Sequence, residues 1–223
     1  MDWKKILHSA WFPYCAPFAI YVLLIEPARY LPDRWAELLY IFKIFGVAFL
    51  LWQWRSHYLQ DFAGKSTSRD WMVSIFAGVL VLVLWVLPEG RIFQLEQKTV
   101  FDPFALGNTE ISFWFLVGIH LLGSSVVVPV MEELFWRSFI MRWLIKPDFK
   151  SIPLGTFTWL SFIGTAVVFG LEHFRIIPGI MAGVIYGLLV LHQKSIKGAV
   201  VAHAVTNFGL GIYVIVTGNW QFW

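Results

Sequence analysis

Apolar runs long enough to cross a lipid bilayer recur along this chain at short intervals, separated by polar loops. A membrane-spanning helix needs about 20 predominantly apolar residues. The runs lie roughly at Trp11–Ile25, Trp35–Trp54, Trp71–Leu87, Ile111–Val128, Val130–Ile145, Phe157–Glu172, Ile177–His192 and Ile196–Thr217. This pattern predicts an all-α fold, a polytopic transmembrane helical bundle of seven to eight spans.

The composition places the chain in the same class. Hydrophobic residues make up 58% of it and charged residues 14%, against about 45–50% and about 25% in an ordinary soluble domain. The net charge of +3 is small, and the basic residues are scattered among the loops. They are therefore interpreted as topology signals and contacts to lipid headgroups, and no nucleic-acid partner is expected. The single cysteine, Cys15, excludes an internal disulfide and a cysteine-based metal site.

No internal repeat or low-complexity linker divides the sequence. Residues 1–223 are therefore predicted to form one integral-membrane domain, in which residues 111–217 carry the functional motifs. An apolar run follows Lys4 and Lys5, but Pro13 interrupts it and no small-residue cleavage site comes after it. The run is predicted to remain in the protein as its first span.

Two topologies are compatible with the run lengths. If residues 111–145 form one span kinked at Pro129, there are seven spans, and the main clusters of basic residues share one side of the membrane. Those clusters are Lys4/Lys5, Arg55/Lys65/Arg69, Arg142/Lys146/Lys150 and Lys194/Lys197. If the region contains two spans, there are eight, and the later loops change sides. The excess of positive charge on cytoplasmic loops places the N-terminus in the cytoplasm in both layouts.

Three charged residues, Glu132, Glu133 and Arg137, interrupt the apolar stretch "PVMEELFWRSFIMRWL". Each costs about 2.5–3.5 kcal/mol at the centre of a membrane helix, so their presence needs a reason. Glu133 and Arg137 are four residues apart, which predicts an ion pair on one helix face that structures the site. Glu132 has no local cation and is left as the candidate base.

Two later runs carry further polar groups. "VVFGLEHFR" places His173 four residues after Phe169, and "VVAHAVTNFG" places His203 four residues before Asn207, on one face of an otherwise apolar span. Glu172 and Arg175 are interpreted as interfacial charges, Phe169 as a packing residue in the cavity wall, and His120 as a lone histidine without a role. The polar groups of the three runs are expected to line one water-filled cavity.

Such a constellation suits the hydrolysis of a carbonyl compound. A carboxylate and an imidazole together hold and deprotonate a water molecule, while a second imidazole and an amide donate hydrogen bonds to the oxyanion that forms. No nucleophilic serine motif is present. The sequence therefore predicts a hydrolase that works through an activated water.

Three motifs then follow one another in a recognisable order. "EELFWR" fits EExxxR, "FGLEH" fits FxxxH and "HAVTN" fits HxxxN. Together they resemble the CAAX-protease and bacteriocin-processing family of intramembrane proteases. The resemblance implies that Glu132 and His173 activate the water, that His203 and Asn207 form the oxyanion hole, and that Glu133 and Arg137 hold the site together. It implies an intramembrane endopeptidase acting on a membrane-associated protein or peptide, without a cofactor.

The N-terminal half, with "CAPFAIYVLLIEP", resembles a compact bacterial subgroup of that family. The subgroup is associated with exosortase protein-sorting systems. This resemblance implies a place in the bacterial inner (plasma) membrane, with the lipid bilayer and an exosortase-type system as partners.

Other interpretations of the same residues remain open. Glu132, His173 and His203 make a plausible zinc set, which predicts a zinc-dependent membrane protease instead. The polar residues are also compatible with a non-enzymatic scaffold or immunity protein. In that case Glu133 and Arg137 form a structural ion pair, His173 lies at the membrane interface, and His203 and Asn207 hydrogen-bond between helices.

Overall fold

The computed structural model describes residues 5, 7–28, 30–90 and 101–223. It is 74% helical, with no strand among those residues, which confirms the predicted all-α fold. The α-helices are α1 (Phe12–Leu23), α2 (Ile25–Ala28), α3 (Asp33–Gln53), α4 (Arg55–Tyr58), α5 (Ser68–Val86), α6 (Glu110–Leu122), α7 (Val128–Glu133), α8 (Met141–Trp143), α9 (Trp159–Leu171), α10 (Ile176–Gln193) and α11 (Lys197–Thr217). Two π-helical segments, Gly123–Val127 and Leu134–Ile140, join α6 to α7 and α7 to α8.

Five of the helical stretches are long and apolar enough to cross a membrane. They are Asp33–Gln53, Ser68–Val86, Glu110–Trp143, Ile176–Gln193 and Lys197–Thr217, and two shorter apolar stretches, Phe12–Ala28 and Trp159–Leu171, accompany them. The protein is thus an integral membrane protein. Residues 110–143 form one helical stretch of 34 residues, as the seven-span layout predicts for this region.

Sequence signals set the ends of several helices. Thr67 caps the start of α5, where its hydroxyl accepts a hydrogen bond from the Asp70 backbone N–H and the Asp70 carboxylate accepts one from the Thr67 N–H. Gly218 ends α11 in the left-handed conformation, with φ of 69°. Such reciprocal caps satisfy backbone groups that a helix end leaves free, and therefore fix where a span meets the membrane surface.

Helices α9 and α10 form a tight hairpin. A Cβ atom on Gly183 would lie 2.9 Å from the Cα of Ala166, so the two backbones touch where the sequence has small residues. With 13 residues, α9 is only about 20 Å long at 1.5 Å per residue, against about 30 Å for the hydrocarbon core. The helix alone is therefore shorter than that core. The side chains of the turn that follows it, residues 172–175, line a cavity.

A buried carboxylate organises the opposite end of the bundle. Asp61 accepts hydrogen bonds from Arg142 Nη2 at 2.8 Å and from the Tyr14 hydroxyl at 2.5 Å. Its backbone carbonyl accepts from the Ser195 hydroxyl at 3.2 Å. Burial lowers the pKa of Lys150, 3.8 Å away, and the negative charge of Asp61 opposes that shift. One residue of the loop after α4 thus connects α1, α8 and the turn between α10 and α11.

The basic residues predicted to share one side do lie at this same end. The Lys194 ammonium donates to the Gly155 carbonyl at 2.7 Å, Lys150 donates to the His57 carbonyl at 3.0 Å, and Lys197 hydrogen-bonds the Gly64 carbonyl. Lys4 lies outside the described residues. We call this the basic end of the bundle.

Replacing Asp61 with alanine should destabilise the whole protein. The Arg142 guanidinium, only 6% exposed, would remain buried without its partner, and removing one member of a buried pair costs about 3–5 kcal/mol. We expect a clear drop in the Tm of the purified protein in detergent. The matched control, Asp148→Ala at an exposed position of the same end, should leave Tm unchanged. Equal Tm values for the two variants would contradict the organising role of Asp61.

Candidate active site

A fully buried ion pair marks the centre of the bundle. Arg137 Nη1 lies 3.1 Å from Glu133 Oε1, and the two side chains are 1% and 0% exposed. The guanidinium carbon lies 4.2 Å from the centre of the Phe169 ring, and Arg137 Nη2 donates to the Gly183 carbonyl at 3.5 Å. The arginine therefore contacts both arms of the α9–α10 hairpin from the long helix.

The π-helical segments shape the long helix on either side of Glu132. In the first segment the Val128 N–H donates to the Gly123 carbonyl, five residues back. The next donor in that register would be Pro129, which has no N–H, so the Ser124 carbonyl is left free. Asn207 Nδ2 donates to this carbonyl at 2.8 Å. Asn207 therefore already donates one amide hydrogen to the backbone, although the sequence analysis assigned the amide to an oxyanion hole.

His203 lies between the two glutamates. Its Nδ1 is 3.0 Å from Glu133 Oε1 and its Nε2 is 4.0 Å from Glu132 Oε2. Since a carboxylate accepts hydrogen bonds, Nδ1 carries the hydrogen. Nε2 therefore donates only when the ring is a positively charged imidazolium. Tyr186, which sequence reasoning did not single out, stacks on the imidazole with ring centres 5.0 Å apart.

His173 lies two residues after the end of α9, in the turn at residues 172–175. Its Nδ1 lies 2.7 Å from the Phe169 carbonyl. A carbonyl only accepts, so Nδ1 carries the hydrogen, and Nε2 is left with a free lone pair. The edge of Trp85, with its ring centre 5.3 Å away, packs against the imidazole. The contact between Phe169 and His173 within the FxxxH motif thus selects one tautomer of His173. In that tautomer Nε2 can accept a proton or bind a metal.

Glu172, interpreted from the sequence as an interfacial charge, also lies beside the candidate site. Its Oε1 accepts a hydrogen bond from the Trp136 indole at 3.0 Å. Ligand atoms of Glu132, Glu172 and His173 all lie within 4.8 Å of one another. Glu172 is exposed, as an interfacial charge would be, and it lines the same cavity as Glu132.

The structure gives two other residues partners that the sequence did not indicate. Arg175, expected to be interfacial, forms a bidentate ion pair with Glu89 at 2.7 and 2.8 Å, which holds the turn at residues 172–175. His120, expected to have no partner, lies 2.7 Å from Glu37 Oε2. Both partners come from the N-terminal half, far away in sequence, so no local spacing signalled either pair.

A cavity of about 480 Å³ contains these groups. Its wall includes Glu132, Glu172, His173 and His203 at the inner end, and it extends to Leu31, Asp33 and Asp102 at the end opposite the basic end. Glu132 is 8% exposed, and its Oε2 has no hydrogen-bond partner. A buried carboxylate oxygen without a partner, facing a cavity with polar walls, is suited to hold a water molecule.

The same three ligands also suit a divalent metal ion. Carboxylate oxygen and imidazole nitrogen are ordinary zinc ligands, and three protein ligands with an open fourth position are typical of catalytic zinc. The set differs from the one predicted, because Glu172 takes the place of His203, whose Nδ1 hydrogen-bonds Glu133. Either a water or a metal-bound water at this point would lie beside Glu132.

Comparison with known proteins bears on this geometry. Residues 112–209 match the family model described as Type II CAAX prenyl endopeptidase Rce1-like. The matched segment begins in α6, ends in α11 and contains all three motifs. Searches of curated proteins and of solved structures gave no match.

The role of the Asn207 hydrogen bond can be tested by combining a substitution of Asn207 with one of Pro129. Asn207→Ala should lower the stability of the protein by about 1–3 kcal/mol, because it leaves the Ser124 carbonyl without a donor. In a Pro129→Ala background the new backbone N–H can donate to that carbonyl, so Asn207→Ala should cost less. Thermal unfolding of the two single variants and the double variant gives the coupling energy. Strictly additive effects would show that Asn207 does not compensate for the proline.

Proposed function

We propose that this protein, whose residues 112–209 match the family model described as Type II CAAX prenyl endopeptidase Rce1-like, is a glutamic-type intramembrane endopeptidase. It hydrolyses a peptide bond of a membrane-associated protein or peptide. The family match and the apolar helices support a CAAX-type protease of the membrane in general. The assignment of Glu132 as the base that activates the water is our proposal.

The observation that supports the proposal is that Glu132 and His173 line one cavity, while the Oε2 atom of Glu132 has no hydrogen-bond partner. A water held between Glu132 Oε2 and His173 Nε2 gives one proton to the carboxylate as its oxygen attacks the carbonyl carbon of the substrate. Glu172 is placed to accept a hydrogen bond from the remaining O–H. The carbon–nitrogen bond then breaks, and the proton held by Glu132 passes to the departing amine. Water is thus added across the peptide bond, and the enzyme returns to its starting state.

The developing oxyanion needs hydrogen-bond donors. His203 supplies one through Nε2–H as an imidazolium, which Glu133 and Glu132 on either side stabilise by their negative charge. Asn207 supplies at most its second amide hydrogen, since the first is donated to Ser124. We therefore assign the larger share of oxyanion stabilisation to His203.

Zinc-dependent hydrolysis by the same protein is the second candidate, favoured by the clustering of Glu132, Glu172 and His173. A metal there would supply a more acidic bound water. Metal analysis of the purified protein separates the two. Stoichiometric zinc whose removal abolishes cleavage would support the metal mechanism, whereas full cleavage by the metal-free protein would support the glutamic one.

We also infer a direction of access for the substrate. If the basic end is cytoplasmic, as the positive-inside rule predicts, the cavity reaches the opposite, non-cytoplasmic side near Leu31 and Asp33. The substrate would then enter from that side. This orientation is part of our proposal and is independent of the chemistry.

Changing Glu132 to glutamine should abolish proteolysis. Glutamine has nearly the same shape but cannot take a proton from water, and general base catalysis contributes about 10²–10⁴-fold. The measurement is quantitative mapping of protein termini in membranes of the native host, which also identifies the substrate. The matched control is Glu110→Gln, at an exposed position in the first turn of α6. Termini present with Glu110→Gln and absent with Glu132→Gln, at equal protein levels, are the expected result.

If the same termini appear with both variants, Glu132 is not the base. If no terminus depends on the protein at all, the non-enzymatic scaffold or immunity role gains support. These two outcomes separate a wrong residue assignment from a wrong function.

Orientation can be tested by labelling with a thiol reagent that does not cross membranes. In a Cys15→Ala background, Leu31→Cys lies at the cavity mouth and Ala63→Cys at the basic end, both exposed. We expect labelling of Leu31→Cys in intact cells, and labelling of Ala63→Cys only after the cells are opened. The reverse pattern would place the cavity on the cytoplasmic side.

A further inference from the structure

A short segment after α11 forms part of the cavity wall at the end opposite the basic end. Helix α11 ends at Thr217, and Gly218 then turns the chain in the left-handed conformation. The residues that follow include a short 3₁₀ helix, Trp220–Phe222. Phe222 and Trp223 both line the cavity that contains Glu132. We call residues 219–223 the strap.

One side of the strap lies on the turn that carries His173. The guanidinium carbon of Arg175 is 4.1 Å from the centre of the Phe222 ring, and Gln221 Nε2 donates to Glu89 Oε1 at 3.3 Å. These contacts connect the strap with the turn after α9 and with the segment after α5. A cation above a ring face is attracted to it, so Arg175 holds Phe222 in place.

The other side of the strap lies on α6. The Trp223 ring stacks on that of His120, with ring centres 5.6 Å apart, and it packs edge-on against Phe101 at 5.3 Å. His120 and Phe101 line the cavity as well. The strap therefore bridges the cavity wall from the turn after α9 to α6.

The strap is attached less firmly than the helices around it. No residue of its 3₁₀ helix is buried, and its hydrogen bond to Glu89 is long, whereas Arg175 donates to the same carboxylate at 2.7 and 2.8 Å. Segments with few buried contacts open locally at low cost, and lids over active sites are drawn from them. A Cβ at Gly218 would meet nothing within 4 Å, so the turn at this glycine has room to move.

We propose that the strap is a gate, which pivots at Gly218 and covers the cavity until a substrate displaces it. This inference rests on the proposed function and adds a control of access to it. The closed strap keeps soluble peptides away from the cavity that contains Glu132. When the strap opens, Arg175 keeps its ion pair with Glu89, so the turn that carries His173 stays in place.

The test measures access to the cavity without turnover, on the full-length protein in nanodiscs. In a Cys15→Ala background, Ser124→Cys supplies a single thiol on the cavity wall, and the probe is a small charged methanethiosulfonate reagent. We expect slow labelling with the unaltered strap and labelling about tenfold faster with Phe222→Ala, which removes the ring beneath Arg175. Phe222→Tyr keeps that ring and should label slowly.

A second strap variant and a matched control accompany this measurement. Trp223→Leu weakens the contact with α6 and should also speed labelling. Trp114→Ala removes an exposed aromatic residue of α6 that lies outside the strap and the cavity wall, and it should leave the rate unchanged. Thermal unfolding of each variant shows that it is folded.

Equal labelling rates for Phe222→Ala, Trp223→Leu and the unaltered strap would overturn the gate. So would labelling of Ser124→Cys that is already as fast as that of Leu31→Cys, or an increase that Trp114→Ala reproduces. Strap-dependent labelling in a protein that cleaves nothing would leave the gate standing and refute the protease. Labelling that ignores the strap in a protein whose cleavage depends on Glu132 would refute the gate alone.

Discussion

The charge cluster around Glu133 is the constraint on which the rest of the site depends. This carboxylate is fully buried and contacts two cations or potential cations, Arg137 on its own helix and His203 on α11. Arg137 in turn lies over Phe169 of α9 and donates to Gly183 of α10. Four helices therefore meet at one ion pair. Because an unpaired charge at this depth is costly, the helices can pack only in the arrangement that keeps the cluster complete.

This arrangement explains why two adjacent glutamates have different surroundings. Neighbouring positions on a helix point about 100° apart, so when Glu133 faces the packed centre, Glu132 must face another direction, which here is the cavity. The π-helical segments before and after α7 shift the register further and leave the Ser124 carbonyl for Asn207. A structural carboxylate and a reactive one are thus obtained from consecutive residues, and the rigidity of the first fixes the position of the second.

The sequence predicted the parts of this site that depend on local spacing. The pairing of Glu133 with Arg137 follows from a separation of four residues, and the all-helical membrane fold follows from the apolar runs. Contacts between distant segments were not predictable in this way. The pairs Glu37–His120 and Glu89–Arg175 join residues more than 80 positions apart, and Glu172 lies beside Glu132, 40 positions away in sequence. The role given to Asn207 overlooked the carbonyl that Pro129 leaves free, since the π-helical register cannot be read from a helical period.

The two halves of the chain contribute different properties to the cavity. Residues 112–209 carry the groups proposed for the chemistry, whereas Tyr21, Glu37 and Lys43 of the preceding helices line another part of the same cavity. The chemical groups are constrained by the buried cluster and tolerate little change. The helices before them contact the site mainly through the cavity wall, where a substitution changes shape and charge without breaking an ion pair of the centre. Proteins that share the matched segment but differ in α1 to α3 are therefore expected to use one chemistry on different substrates.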